Sequence, residues 1–182
     1  MKAAPVFAAL ALIAGTPLAA QMSPAQMSPM PMDTAMAPTT TAAPLFLMMA
    51  AESDIFEITS SEIAVMRSQN PEVRAYASML IDHHTKTTDV ALTQAKAAGI
   101  TPPPAILQAD KRAMITQLLA VSPADFDRTY LTQQVPAHEA ALALHTTYAR
   151  NGDTPQLRTA AVGAVPLVTR HLAEARRMLG TM

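Results

Sequence analysis

The chain has 182 residues, about the length of one ordinary domain. Its 13 Lys and Arg balance 14 Asp and Glu, so no basic excess is available to bind the phosphates of nucleic acid or anionic lipid. The absence of cysteine excludes disulfides, thiolate metal sites and cysteine nucleophiles. We therefore expect no nucleic-acid partner.

The first 20 residues have the pattern of a secretory signal peptide. Met1 and Lys2 give a positive start, residues 3–14 are apolar, and small residues precede Gln21. The apolar run is shorter than the about 20 residues that a membrane-spanning helix needs, so we predict cleavage and no transmembrane segment afterwards. The mature protein is expected in the periplasm or secreted, with outer-membrane association left open.

Residues 21–44 are rich in methionine and proline, and we predict a disordered leader here. The spacing of Met27, Met30 and Met32 resembles methionine motifs that bind Cu(I) or Ag(I), because soft thioether sulfur suits these ions. The alternative, which we prefer, is a low-complexity tether without a metal.

From residue 45 to residue 180 the pattern is helical throughout. Helix caps and prolines predict helices at residues 45–69, 71–99, 105–120, 123–151 and 155–180. Short connections join the first two and the last two helices, so each of these pairs is predicted to form an antiparallel hairpin. The predicted fold is an all-α four-helix bundle, with the short helix in the crossover between the two hairpins.

One mainly apolar face can be followed along three of the long helices, whereas the first helix is apolar on nearly every side. The predicted inward stripes are Val73, Ala77, Leu80, His84, Thr87, Ala91 and Ala98; Phe126, Tyr130, Ala137, Ala140, Leu144 and Tyr148; and Leu157, Ala161, Ala164, Val168, His171, Ala175 and Met178. The inward face of the first helix is therefore left open.

Histidines interrupt these apolar faces. His84 and His171 lie within their stripes, and His138 lies at the edge of its stripe, where a buried ring costs free energy unless it is paired. With a rise of ~1.5 Å per residue, these three and Glu57 all fall near the middle of helices about 40 Å long. We predict that they converge, one from each long helix, in the bundle centre.

Three imidazoles and a carboxylate suit iron, copper, zinc or manganese, and the residue types do not select among them. The alternative is a metal-free hydrogen-bond network that fixes the helix register. His83, next to His84, is expected to face solvent. We predict no catalytic residue and no residue that binds an organic cofactor, since no G-x-S-x-G or H-E-x-x-H motif is present.

Several short motifs resemble the domain of unknown function 4142 family, whose members are bacterial exported proteins. The motifs are Phe56-Glu57-Ile58, Asn70-Pro71-Glu72-Val73, Asp82-His83-His84-Thr85, Phe126-Asp127-Arg128-Thr129-Tyr130, His138-Glu139 and His171-Leu172. The resemblance covers about residues 45–179 and implies a ferritin-like fold. It also implies that Glu57, His84, His138 and His171 are signature positions, but it implies no settled activity.

The sequence departs from the di-iron proteins that share this fold. Such bundles carry a Glu three residues before a histidine on two helices, whereas the matching positions here are Ile81 and Val168. An oxidoreductase of the ferroxidase type is therefore disfavoured. We expect an exported bundle protein that binds one transition-metal ion, with a non-catalytic structural or envelope-stress module as the alternative. The protein partner and the oligomeric state, including a homo-oligomer, stay open.

Overall fold

The computed structural model describes residues 41–182, which form five α-helices joined by loops. The helices are α1 at Ala43–Arg67, α2 at Pro71–Ala97, α3 at Ala109–Ala120, α4 at Phe126–Asn151 and α5 at Pro155–Gly180. Within this range no helix has an apolar stretch long enough to cross a membrane. The predicted signal peptide and Met27, Met30 and Met32 lie outside the described residues, and α1 begins two residues before its predicted start.

Local sequence signals fix both ends of α2. Pro71 is its first residue, and the side chain of Asn70 accepts a hydrogen bond of 2.9 Å from the backbone N–H two residues further on. At the other end Gly99 has a φ of 70°, and the N–H of Ile100 donates to the carbonyl of Ala95 at 2.9 Å. This left-handed glycine closes the helix in a Schellman motif, as the predicted glycine stop requires.

The four long helices form two antiparallel hairpins, as predicted. Residues 68–70 join α1 to α2, and residues 152–154 join α4 to α5; each hairpin then packs on the other through α1 with α4 and α2 with α5. Phe126 at the start of α4 belongs to the same apolar cluster as Val73 at the start of α2. The segment that carries α3 therefore crosses the length of the bundle, which is the ferritin-like arrangement.

The short helix of the crossover begins later than predicted. α3 starts at Ala109 rather than near Ala105, because the residues after the proline run stay extended up to Gln108. The backbone N–H of Gln108 donates to the carboxylate of Glu52 at 3.0 Å, which attaches the start of α3 to α1. Further along, α3 buries Leu118 between the bundle helices.

Two apolar clusters fill the ends of the bundle, and a polar band separates them. One cluster contains Leu80, Tyr130 and Met178, and the other contains Phe46 and Leu157. Between them α1 buries a run of polar side chains, namely Ser53, Asp54, Glu57, Ser60 and Ser61. This polar run explains why α1 lacks a clear apolar face in the sequence.

The predicted inward stripes agree with the structure in α5 and depart from it in α4. Every residue of the α5 stripe is buried. In α4, Ala140 is exposed and Ala141 is buried, so the prediction for Ala140 was wrong. The other residues of this stripe are buried or half-buried, and the buried face of α4 also includes His138 and His145.

Candidate metal centre

Between the two apolar clusters, each long helix buries one of the ionisable residues that the sequence predicted as metal ligands. Glu57 on α1 and His138 on α4 are fully buried, and His84 on α2 and His171 on α5 are 3% and 2% exposed. We call these four residues the donor cluster. Each lies on the inward face of its helix, between the two apolar clusters.

The three imidazoles form a nearly equilateral triangle. Their ring centroids are 5.7 Å apart for His84 and His138, 5.3 Å for His84 and His171, and 5.4 Å for His138 and His171. One ring nitrogen of each lies within 4.8 Å of the other two. Oε1 of Glu57 is 3.6 Å from Nδ1 of His138, so the carboxylate lies beside this triangle.

Several polar atoms of the donor cluster find no hydrogen-bond partner in the described part of the chain. These buried atoms are both carboxylate oxygens of Glu57, Nε2 of His84, Nε2 of His138 and Nδ1 of His171. Leaving a buried polar atom unpaired costs about 1–3 kcal/mol, so such atoms are rare in proteins. Their concentration at one point is the main unusual feature of this interior.

In His84 and His138, the other ring nitrogen, Nδ1, is hydrogen-bonded to a second group. Nδ1 of His84 is 2.8 Å from Oδ1 of Asp54, and Nδ1 of His138 donates to the carbonyl of Gln134 at 2.9 Å. A neutral imidazole that donates through Nδ1 carries its free lone pair on Nε2. The second groups therefore leave the unpaired Nε2 atoms of His84 and His138 as electron-pair donors.

Asp54 is itself fixed by hydrogen bonds from α2. The hydroxyl of Thr88 donates to its carboxylate at 2.6 Å, and the hydroxyl of Thr87 donates to it at 3.2 Å. Burial lowers the pKa of His84, but the hydrogen bond to Asp54 and the charges of Glu57 and Asp54 outweigh it, so this pKa is raised. Asp54 thus makes His84 more basic as well as orienting it.

The environment of His171 differs, because no carboxylate of residues 41–182 forms a hydrogen bond or an ion pair with it. Its Nε2 is 2.8 Å from Nδ1 of His83, and the two rings stack with centroids 5.1 Å apart. Burial, together with the neighbouring His84, His138, His83 and Arg170, lowers the pKa of His171 to about 2. His171 is therefore neutral. The expectation that His83 faces solvent was wrong, since His83 is half-buried against His171.

Two tyrosines border the donor cluster. The hydroxyl of Tyr76 donates to the backbone carbonyl of His171 at 3.1 Å, and the hydroxyl of Tyr130 lies 2.8 Å from that of Ser61. Burial, with a further contribution from the charge of Glu57, raises the pKa of both phenols. They remain neutral and already hydrogen-bonded, so they are not anionic ligands.

The structure brings together three of the four predicted residues, His84, His138 and His171, and it places Glu57 beside His138. It adds Asp54, Gln134 and His83 around them. One signal for Asp54 was present in the sequence: it lies three residues before Glu57 and hence on the same helix face. Gln134 acts through its backbone carbonyl, for which the sequence holds no signal.

Comparisons with known proteins agree with this fold. The structure of CopM in the Cu(II)-bound form matches with a TM-score of 0.66 and 16% identity, over 77% of this chain and 97% of CopM. A DUF305 fragment from Deinococcus radiodurans matches with a TM-score of 0.68 and 16% identity, over 80% and 97% of the two chains. No curated protein sequence matches this chain significantly. The family model "Domain of unknown function (DUF4142)" matches residues 28–178, so the chain belongs to the DUF4142 family.

Proposed function

We propose that this protein binds one transition-metal ion at the donor cluster. The observation that carries the proposal is the convergence of three buried histidines from three helices, each with an unpaired ring nitrogen, with the unpaired carboxylate of Glu57 from a fourth helix beside them. A metal ion would satisfy these atoms together. Helical bundles build metal sites in this way, from inward side chains on facing helices.

The donor set restricts the choice of ion. Three imidazole nitrogens and one carboxylate suit copper, zinc, iron or manganese, and there is no thiolate in the chain to favour softer ions. CopM, a bundle of similar fold, holds Cu(II), which makes Cu(II) the first ion to test. Two nitrogens bound to one ion at ~2.0–2.1 Å lie at most about 4.2 Å apart, so ring nitrogens within 4.8 Å of one another could bind the same ion with little movement.

The groups behind the rings support the same proposal. Metal-binding histidines usually donate their other N–H to a carboxylate or a carbonyl, which fixes the tautomer and strengthens the ligand. Asp54 and the carbonyl of Gln134 have this role for His84 and His138. At His171, Nδ1 keeps a free lone pair when Nε2–H donates to His83.

The proposed activity is metal binding and not turnover. Di-iron catalysis in bundles requires carboxylates from several helices, whereas α1 supplies both buried acidic residues of the part of the chain that the structure describes, Asp54 and Glu57. Asp54 is occupied by His84, Thr87 and Thr88. Glu57 is then the one carboxylate available to the ion.

A binding assay with matched variants tests the proposal. The chelated protein is titrated by calorimetry with Cu(II), Zn(II), Mn(II) and Fe(II), and its metal content is measured after purification from its native compartment. We expect one ion per chain, and we expect the His84→Gln, His171→Gln double variant to lose it. His145→Gln is the control, since His145 is buried in the same bundle but outside the donor cluster.

A metal-free network is the second function, and one observation favours it. His84, His138 and His171 already make one hydrogen bond each. If no ion binds to the intact protein while the double variant melts at a lower temperature, the histidines are structural. If the double variant still binds one ion per chain, the site lies elsewhere.

We also propose that the protein acts outside the cytoplasm, on the basis of the signal-peptide pattern of residues 1–20. The mass of the protein recovered from the periplasmic fraction should correspond to a chain that starts at Gln21. The soft-metal hypothesis for Met27, Met30 and Met32 stays a separate prediction. Replacing these methionines with leucine should abolish Cu(I) uptake there and leave the helical signal unchanged.

A further inference from the structure

A second feature of the interior is a cavity of about 220 Å³ between α2 and α5. Phe46 and Ala50 of α1 and His145 of α4 form its inner wall, and each is more than nine-tenths buried. On the outer side Val90 of α2 and Gly163 of α5 are exposed, so the cavity opens to solvent between these two helices.

The cavity exists because α2 and α5 carry small residues where they face each other. Ala91, Ala160, Gly163 and Ala164 line it, and a Cβ added at Gly163 would meet no atom within 4 Å. Protein interiors rarely leave voids larger than a water molecule. An apolar cavity of about 150 Å³ is known to bind benzene, so this one has room for a slightly larger molecule.

One ring nitrogen on the inner wall of the cavity is available to a ligand. Nε2 of His145 forms no hydrogen bond among residues 41–182 and, unlike Nδ1, is not completely covered by protein atoms. The other buried polar group of the wall, Asp54, already accepts hydrogen bonds from α2. At the rim, Lys86 is paired with Asp82 at 2.6 Å. The remaining inner wall is apolar, and it favours an uncharged ligand.

We infer that the cavity binds a small, uncharged aromatic molecule with one hydroxyl group. The hydroxyl pairs with Nε2 of His145, which a hydroxyl can do as donor or as acceptor, and the ring packs on Phe46. Phe46 already holds the ring of His145 edge-on, with centroids 5.6 Å apart. The inference does not rest on the proposed metal site, because none of the donor cluster residues lines the cavity.

Two probes that differ by one hydroxyl test the inference. The full chain is titrated with 1-naphthol and with naphthalene, whose fluorescence can be followed because the chain has no tryptophan. We expect one site per chain and about 3- to 10-fold tighter binding of 1-naphthol, the effect of one neutral hydrogen bond. His145→Phe should remove this preference.

Variants of the cavity wall test the location. Gly163→Leu should weaken the binding of both probes at least tenfold, since the leucine side chain fills the open space. The control variant Gly163→Ala should bind both probes as the parent protein does. Ala91→Leu on the opposite wall gives the same test if Gly163→Leu does not fold, which circular dichroism shows. Each titration is made with and without a chelator, so that loss of metal and loss of the probe are read separately.

Three outcomes would overturn the inference: no binding of 1-naphthol up to its solubility limit, equal binding to a folded cavity-filling variant, or a preference for 1-naphthol that survives in His145→Phe. Failure of metal to bind in the same samples leaves the cavity unaffected. Conversely, binding of metal without binding of either probe overturns the cavity inference alone.

Discussion

The two buried histidines of α4 lie two turns apart in opposite surroundings. His138 has the rings of His84 and His171 within 6 Å and the carboxylate of Glu57 at 3.6 Å. His145 has the edge of Phe46 beside it and lines a mainly apolar cavity. Both are buried and both have an unpaired ring nitrogen. What the other helices place opposite each ring therefore decides its chemistry, and burial alone does not.

A similar contrast appears in the basicity of the histidines. The pKa of His145 is lowered by burial, which outweighs the opposing effect of the Asp54 charge, and His84 lowers it further. The pKa of His84 is raised despite burial, because Asp54 contacts it directly. A contact with a carboxylate thus reverses the sign that burial alone produces.

The largest expected effect is a difference between His138 and His145, the two buried histidines of α4. Only His138 should be needed for metal to stabilise the protein. At an ion concentration 100 times its Kd, binding should raise the free energy of unfolding by about 2.7 kcal/mol. For a domain of this size the melting temperature then rises by roughly 5–11 °C. We expect this rise in the parent protein and in His145→Gln, and we expect it to vanish in His138→Gln. Thermal melts followed by circular dichroism measure it.

The contrast between His138 and His145 is contradicted if His145→Gln also loses the rise in melting temperature, because His145 would then belong to the metal site. Melts with Mg(II) at the same concentration give the control for nonspecific effects of a divalent cation. Mg(II) prefers oxygen ligands, so it should not stabilise a site with three imidazoles.

A smaller effect is expected from the group behind His84. Asp54→Asn keeps the shape of the side chain but removes the charge that orients and strengthens the ring. Loss of such a partner usually weakens metal binding 10- to 100-fold, and we expect a decrease in this range in a competition titration with a chelator. The number of ions per chain should stay at one.

Glu52→Gln is the matched control, because Glu52 is a half-buried carboxylate of α1 that contacts Gln108 and not a histidine. Its metal affinity should equal that of the parent protein. An Asp54→Asn variant with unchanged metal affinity would show that Asp54 has a structural role only. The carboxylate beside His84 would then not explain why His84 and His145 differ in their chemistry.

Much of the fold follows from patterns that one helix carries by itself. The stripe of α5 was predictable residue by residue, because its inward positions are apolar apart from His171 and repeat every three or four residues. The donor cluster was predictable from helix geometry: Glu57, His84 and His138 join His171 at one height because the two hairpins have similar lengths.

The remaining features depend on more than one helix. The inward face of α1 is difficult to recognise in the sequence, because it carries Ser53, Ser60 and Ser61. These serines are buried because they adjoin the polar band. The contact of His83 with His171 joins α2 to α5, and nothing local distinguishes His83 from an exposed residue. The cavity likewise requires small residues of α2 and α5 to face each other. Such pairings are fixed by helix rotation, which a single sequence does not define.

The smallest expected effect concerns the pH dependence that His145 gives to the metal-free protein. Its pKa is lowered in the folded state, so below about pH 6.5 the unfolded chain binds a proton that the folded chain does not. The free energy of unfolding should therefore fall as the pH drops, by at most about 1.4 kcal/mol per pH unit. Replacing His145 with phenylalanine or glutamine removes this contribution.

Urea unfolding of the chelated protein at pH 7.5 and pH 5.5 measures the difference. The parent protein should lose more stability than His145→Phe and His145→Gln over this interval, because only the parent carries the histidine whose pKa is lowered in the fold. The contributions of His171 and His84 to the pH dependence of stability are present in all three proteins and cancel from the difference, although they have opposite signs. Equal losses in all three proteins would mean that His145 is protonated as easily in the fold as in water. The apolar wall would then not isolate His145, and burial would not be the reason why its pKa differs from that of His84.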